Sequence, residues 1–130
     1  MNSVVVHMMV GKLVKGVTHD FHKARPFFHV QTAGTPAKPV EVKVADTKAI
    51  FFVRDLNGHL QAGMGHLHEG KPRGGYGRKA RLELFDGEIL VGYVQAFHQE
   101  DPLIMLLPEK EDNNDRVYVN PKSIRKFDWL

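Results

Sequence analysis

The feature that most constrains this chain is an internal repeat. Written at an offset of 76 residues, 4–30 falls on 80–106, and Gly11 meets Gly87, Gly16 meets Gly92, Phe21 meets Phe97, His22 meets His98 and Pro26 meets Pro102. The apolar positions follow: Val6 on Leu82, Met8 on Leu84, Leu13 on Ile89, Val14 on Leu90, Phe28 on Ile104 and Val30 on Leu106. Further on, Val42-Lys-Val44 aligns with Val117-Tyr-Val119 at offset 75 and Ile50 with Ile124 at offset 74. A period of this size is read as one structural unit written twice. In 130 residues it leaves about 50 per copy, too few for an independent large core.

Each copy reads as strands. Val4, Val6, Met8 and Leu82, Leu84 alternate with polar residues, the period of a half-buried strand. Val10-Gly11 and Asp86-Gly87 then break two apolar runs, where glycine accepts the positive φ of a tight hairpin turn. A second strand spans Lys12 to Phe21 and Glu88 to Phe97, with Gly16 and Gly92 inside it marking a bend or close backbone approach. A third covers Phe27 to Gln31 and Leu103 to Leu107; two short ones follow, Val40 to Val44 and Ile50 to Val53, then Arg116 to Val119 and Ile124 to Phe127. No apolar 3.6-residue period supports a helix. The expected fold is all-β, two tandem five-stranded small barrels from an internal duplication, with 1–56 and 80–130 as repeats and 57–79 as linker.

The second copy resembles the Sm/Lsm fold, a branch of the SH3-like small barrels. Leu84-Phe-Asp-Gly-Glu-Ile-Leu-Val-Gly-Tyr-Val-Gln-Ala-Phe97 is similar to the first Sm motif, and Val117-Tyr-Val-Asn-Pro-Lys-Ser-Ile124 to the second. The first copy follows the same plan more loosely. Lys48-Ala-Ile-Phe-Phe-Val-Arg-Asp55, Asp86-Gly-Glu-Ile-Leu-Val-Gly92 and Asn113-Asn114 also resemble an uncharacterised bacterial family of tandem small barrels. The Sm resemblance implies RNA binding by a ring, through an Arg-Gly or Lys-His turn in the second motif. Here that turn is Asn120-Pro121 in one copy and Ala45-Asp46 in the other, and His22 or His98 stands where the family usually has Asp.

Seven of the twelve glycines lie in 57–79, which opposes a helix and reads as a flexible linker. Its end carries Lys71, Arg73, Tyr76, Arg78 and Lys79, with Arg81 following, in an Arg-Gly-Gly context. Arginine forks pair with phosphates and stack on bases, and tyrosine offers a π face, so these six residues are the expected contacts for single-stranded RNA. Charge is split to match: residues 1–57 carry +4, 58–79 carry +3 and 80–130 carry −4. A basic half meeting the acidic half of a second chain would give a homo-oligomer, a dimer or a ring; three chains would supply six barrels.

Other chemistries find less support. With no cysteine there is no disulfide framework, thiol nucleophile or thiolate metal site. Eight histidines are present, but His66 and His68 lie in the glycine-rich stretch, and His19 and His22 would face opposite sides of a strand. No P-loop, dinucleotide fingerprint or nucleophile elbow occurs, so no catalytic residue, metal or cofactor is expected. Arg73, Arg78 and Arg81 before a strand offer a cyclic-dinucleotide reading, but no Asp/Asn-x-Ser-x-x-Gly completes the PilZ pattern. No run approaches the roughly 20 apolar residues of a membrane span, and Met1 to Val10 lacks a cationic secretory n-region. The expectation is a cytoplasmic, non-enzymatic binding or assembly module, with RNA as ligand and a protein-interaction scaffold as the alternative.

Overall fold

The computed structural model describes residues 2–32, 39–54, 56, 77–95, 101–109 and 113–130. Among them the strands are β1 (Asn2–Met8), β2 (Leu13–Thr18), β3 (Phe27–Thr32), β4 (Val40–Lys43), β5 (Thr47–Val53), β6 (Arg78–Leu84), β7 (Ile89–Val94), β8 (Ile104–Pro108), β9 (Asn114–Val119) and β10 (Ile124–Trp129). Two 3₁₀ turns, Val44–Asp46 and Pro121–Ser123, link β4 to β5 and β9 to β10. The protein is therefore all-β, as the alternating pattern predicts. The expected linker 57–79 ends early, because Arg78 and Lys79 already belong to β6; residues 57–76 lie outside the described part.

Local chemistry closes the first hairpin of each half identically. Gly11 and Gly87 adopt φ of +89° and +91°, a region that a side chain disfavours. Gly11 N–H donates to Met8 O and Met8 N–H to Lys12 O; 76 residues on, Gly87 N–H donates to Leu84 O and Leu84 N–H to Glu88 O. The repeat extends through the ladders. All six β1–β2 pairs, Asn2 opposite Thr18 to His7 opposite Leu13, recur in β6–β7 at offset 76. So do the β2–β3 pairs in β7–β8.

From β4 onward the offset is 77. Phe28 faces Val42 as Ile104 faces Val119, and Val6 faces Ile50 as Leu82 faces Phe127. Even the register slip repeats, between His7 and Met8 in one half and between Ile124 and Lys126 in the other. The expected offsets of 75 and 74 are thus corrected. The second copy gains one residue before β9, and Ile50 corresponds to Phe127, not Ile124.

The repeat predicts two five-stranded barrels; the ten strands form one antiparallel sheet, ordered β10-β6-β7-β8-β9-β5-β1-β2-β3-β4, that does not close. The join is β5–β9, with Ile50 opposite Tyr118 and Phe51 opposite Val117. Each half keeps the order fifth, first, second, third, fourth strand. Two apolar clusters form. One holds Val4, Val6, Phe28, Val30, Val42, Ile50 and Phe52; the other holds Phe51, Leu82, Leu84, Ile104, Leu106, Val117 and Val119. Strands β1 and β4 stand three apart in the sheet yet share a cluster, so the sheet bends around it. All seven residues of β5 are buried, because Ile50 and Phe52 enter one cluster while Ala49, Phe51 and Val53 enter the other.

The bend needs glycine at one position per half. A Cβ on Gly16 would stand 2.1 Å from Gln31 O, and one on Gly92 would stand 2.2 Å from Leu107 O. Gly16→Ala and Gly92→Ala are each expected to cost about 3 kcal/mol in urea denaturation, by forcing apart backbones that touch. Gly11→Ala and Gly87→Ala meet open space and are expected to cost only the positive-φ penalty, about 1–2 kcal/mol.

Candidate functional site: the turn cleft at the seam

The β5–β9 seam brings together the β2–β3 and β4–β5 connections of the first half and their counterparts in the second. They enclose a cleft of about 330 Å³. Pro26 and Pro102, which repeat at offset 76, line it together with Ala24 and Asp101. Val44 and Ala45 come from one 3₁₀ turn, Pro121 and Lys122 from the other, and Asn120 lies between.

The second turn is set by its own sequence. Asn120 caps it, accepting at Oδ1 from Lys122 N–H (3.0 Å), and Pro121 follows with its φ already suited to the turn. The Asn120 amide crosses the seam and donates to Thr47 O (2.9 Å). Ser123, fully buried, has one hydroxyl proton to share between two acceptors, Asn120 O (2.7 Å) and Lys48 O (3.1 Å). On the first half, Val44 N–H donates to Pro26 O (2.9 Å), tying the two connections together. Pro121 holds the corresponding place and has no N–H to donate. In the β2–β3 connection, Ala24 N–H donates to His22 Nδ1 (3.1 Å); His98 lies outside the described residues.

The walls are mostly proline, alanine and valine, and the charged residues of the lining are Lys122 and Asp101. Lys122 is exposed on the lining itself; Lys23 and Arg25 are exposed beside Ala24 and Pro26, and Arg25 stacks 5.6 Å over Phe27. Asp101 contributes the lining's one carboxylate. The motif resemblance puts the second-motif turn at Asn120-Pro121, a pair with no cation. In the structure the turn runs on to Ser123 and Lys122 is its cation.

Of the six residues expected to bind RNA, the three that are described, Arg78, Lys79 and Arg81, do not line this cleft. Lys71, Arg73 and Tyr76 lie outside the described residues. Arg78, Lys79 and Arg81 are on β6, one strand in from the β10 edge. Arg78 stacks 5.3 Å over Trp129, Lys79 is bound by Glu109, which raises its pKa, and Arg81 stands 3.9 Å from Glu83.

Behind the cleft, Lys48 is a second residue that sequence reasoning passed over. Its side chain is 9% exposed, with Nζ donating to Asp86 Oδ2 (2.8 Å) and lying 2.7 Å from Glu88 Oε1. Burial works to lower its pKa, but the two carboxylates outweigh burial and hold it above the usual lysine range. The Lys48 hydrogen bond holds Asp86 below the usual carboxylate range. Asp86 also keeps its expected turn role, accepting from Glu88 N–H (3.1 Å). His7 is pushed down, first by burial and then by Lys48, and packs 4.5 Å from Phe51. At the other side of the first half, Asp20 is held low by His29, whose Nδ1 is 2.7 Å away. Among the described residues no group of three His, Asp or Glu is placed to hold a metal ion, and no helix is long and apolar enough to cross a membrane.

Fold and site together define an all-β class, one bent sheet written from two copies of a single strand register. The chain belongs to the family described as "Family of unknown function (DUF6982)", which matches it over residues 1–130. No curated protein and no solved structure matches it.

The Lys48 cluster gives stability a pH signature. The contribution of Asp86 is complete above its unfolded pKa and is lost as pH falls through its lower folded value, below about pH 4. That of Lys48 is complete below its unfolded pKa and is lost as pH rises through its higher folded value, above about pH 10. In urea melts across pH, Lys48→Met is expected to cost about 1–3 kcal/mol at pH 7, because two partly solvated carboxylates lose their shared cation, and to flatten both flanks of the profile.

Proposed function

We propose that the protein is a non-enzymatic module that binds single-stranded RNA in the turn cleft, on a frame of two Sm-like barrels descended from one duplicated unit. The repeated registers and the shared strand order support the duplication. Two separate apolar clusters support barrel-like halves. We also infer a cytoplasmic location from the ligand.

The observation that carries the RNA reading is the convergence of cognate turns from both halves on one apolar slot with Lys122 at its mouth. A nucleobase is flat and weakly polar on its faces, and proline, alanine and valine walls suit it. Its phosphates carry charge that Lys122, Arg25 and Lys23 would neutralise at the rim. The Sm resemblance points to the same turns. The glycine-rich basic segment, with Lys71 and Arg73, would add phosphate contacts to the same strand of RNA.

The test is a titration of fluorescently labelled oligouridine and oligoadenine at low and moderate salt, read by anisotropy. Binding that weakens with salt is expected, with Arg25→Glu plus Lys122→Glu losing at least about tenfold in affinity and Arg78→Ala plus Arg81→Ala changing it by less than about threefold. The reverse pattern would move the site to β6. No binding by the wild-type chain at low salt would remove the RNA reading.

A further inference from the structure

The turns of the two first hairpins end side by side at the seam, and both carry apolar residues outward. Val10 is 88% exposed, Leu13 48%, Phe85 45% and Ile89 47%. Val10, Leu13 and Phe85 line one cleft, of about 330 Å³, with His7, Met8 and Met9. Ile89 holds in β7 the place that Leu13 holds near the start of β2. The charges on these hairpins differ in sign. The first carries Lys12 and Lys15; the second carries Asp86 and Glu88 at its tip, and the single charge of Lys48 between them leaves that pair net negative.

We propose that this hairpin face is the contact between two copies of the chain in a twofold dimer. A twofold axis sets the β1–β2 hairpin of one copy against the β6–β7 hairpin of its partner, and the reverse. Both contacts then join a basic apolar tip to an acidic apolar one, so the surface is complementary to itself. Val10, Leu13 and Phe85, exposed together on one cleft and rimmed by charge, mark an interaction surface, and charge complementarity selects the second copy as the occupant.

The open edges of the sheet do not compete for this role. A head-to-tail ring would repeat the β5–β9 pairing between β10 and β4 of successive chains. At the seam that pairing uses Ala49, Phe51 and Tyr118, all buried. By the repeat, Lys126, Asp128 and Glu41 hold those places on the free strands. Charges at such positions block strand addition. Trp129, 39% exposed on β10, is partly covered from within the chain by Phe127 at 4.8 Å and Arg78 at 5.3 Å.

Sedimentation velocity on the wild-type chain from about 1 to 200 µM should show a monomer passing to a dimer, with no larger species. Leu13→Asp with Ile89→Asp should leave a monomer throughout. Lys12→Glu with Lys15→Glu should weaken the dimer at least about tenfold and reverse its salt dependence, so that added salt strengthens what association is left. Circular dichroism and urea midpoints establish that these exposed variants stay folded, so lost association is read at the interface. A wild-type monomer at every concentration overturns the proposal, as does a mass of three chains or more, or a dimer that survives both variants. None of these outcomes depends on RNA.

Discussion

The pairing of β5 with β9 is the contact on which the rest of the structure depends. It gives β5 two buried faces, and through them a strand from the first half completes the core of the second. Ala49, Phe51 and Val53 lie with Leu82, Ile104 and Val117, while Tyr118 of β9 crosses to pack against Phe21 (4.8 Å) and Phe52 (5.4 Å). Each copy is too short to bury a full core by itself, and the exchange of strand faces answers that shortage. Arg116 reinforces it, lying 4.2 Å over the Phe52 ring. The cleft is a by-product of the same join, since the turns that bound it meet because their strands pair.

A buried lysine at the seam fits this picture. Lys48 comes from the first half, and Asp86 and Glu88 from the hairpin of the second, so the ion cluster fixes which turn meets which strand. A hydrophobic substitute would pack without that directional demand. Here the ionic contact sets register, while the apolar clusters supply most of the free energy.

Much of the fold was legible in the sequence because it rests on local chemistry. Alternation at Val4, Val6 and Met8, glycine at the hairpin turns and glycine within the bent strands all have physical causes that act within a few residues. The repeat at offset 76 then followed from identities. The drift was misread because the later strands offer only generic apolar residues: Val42 matches Val117 as well as it matches Val119, and only the ladder distinguishes them. The seam was not legible, since an all-apolar β5 reads as well for a barrel interior as for a strand shared by two cores. The site was hidden for a related reason. The cations from Lys71 to Arg81 form a run in sequence, whereas the cleft gathers residues about 75 apart, and Lys122 belongs to it only because Asn120 and Pro121 start a 3₁₀ turn.

The double burial of β5 also has a consequence for synthesis. Its partner strand is encoded some 68 residues later, Ile50 waiting for Tyr118. While the ribosome makes that interval, the first half can close its own hairpins, yet Ala49, Phe51 and Val53 have no core to enter and the β5 edge has no neighbour. A nascent chain in this state exposes an apolar strand of high β-propensity, the kind that pairs with other chains or is shielded by chaperones. The time taken to translate the residues between β5 and β9 therefore bounds from below how long that strand stays bare.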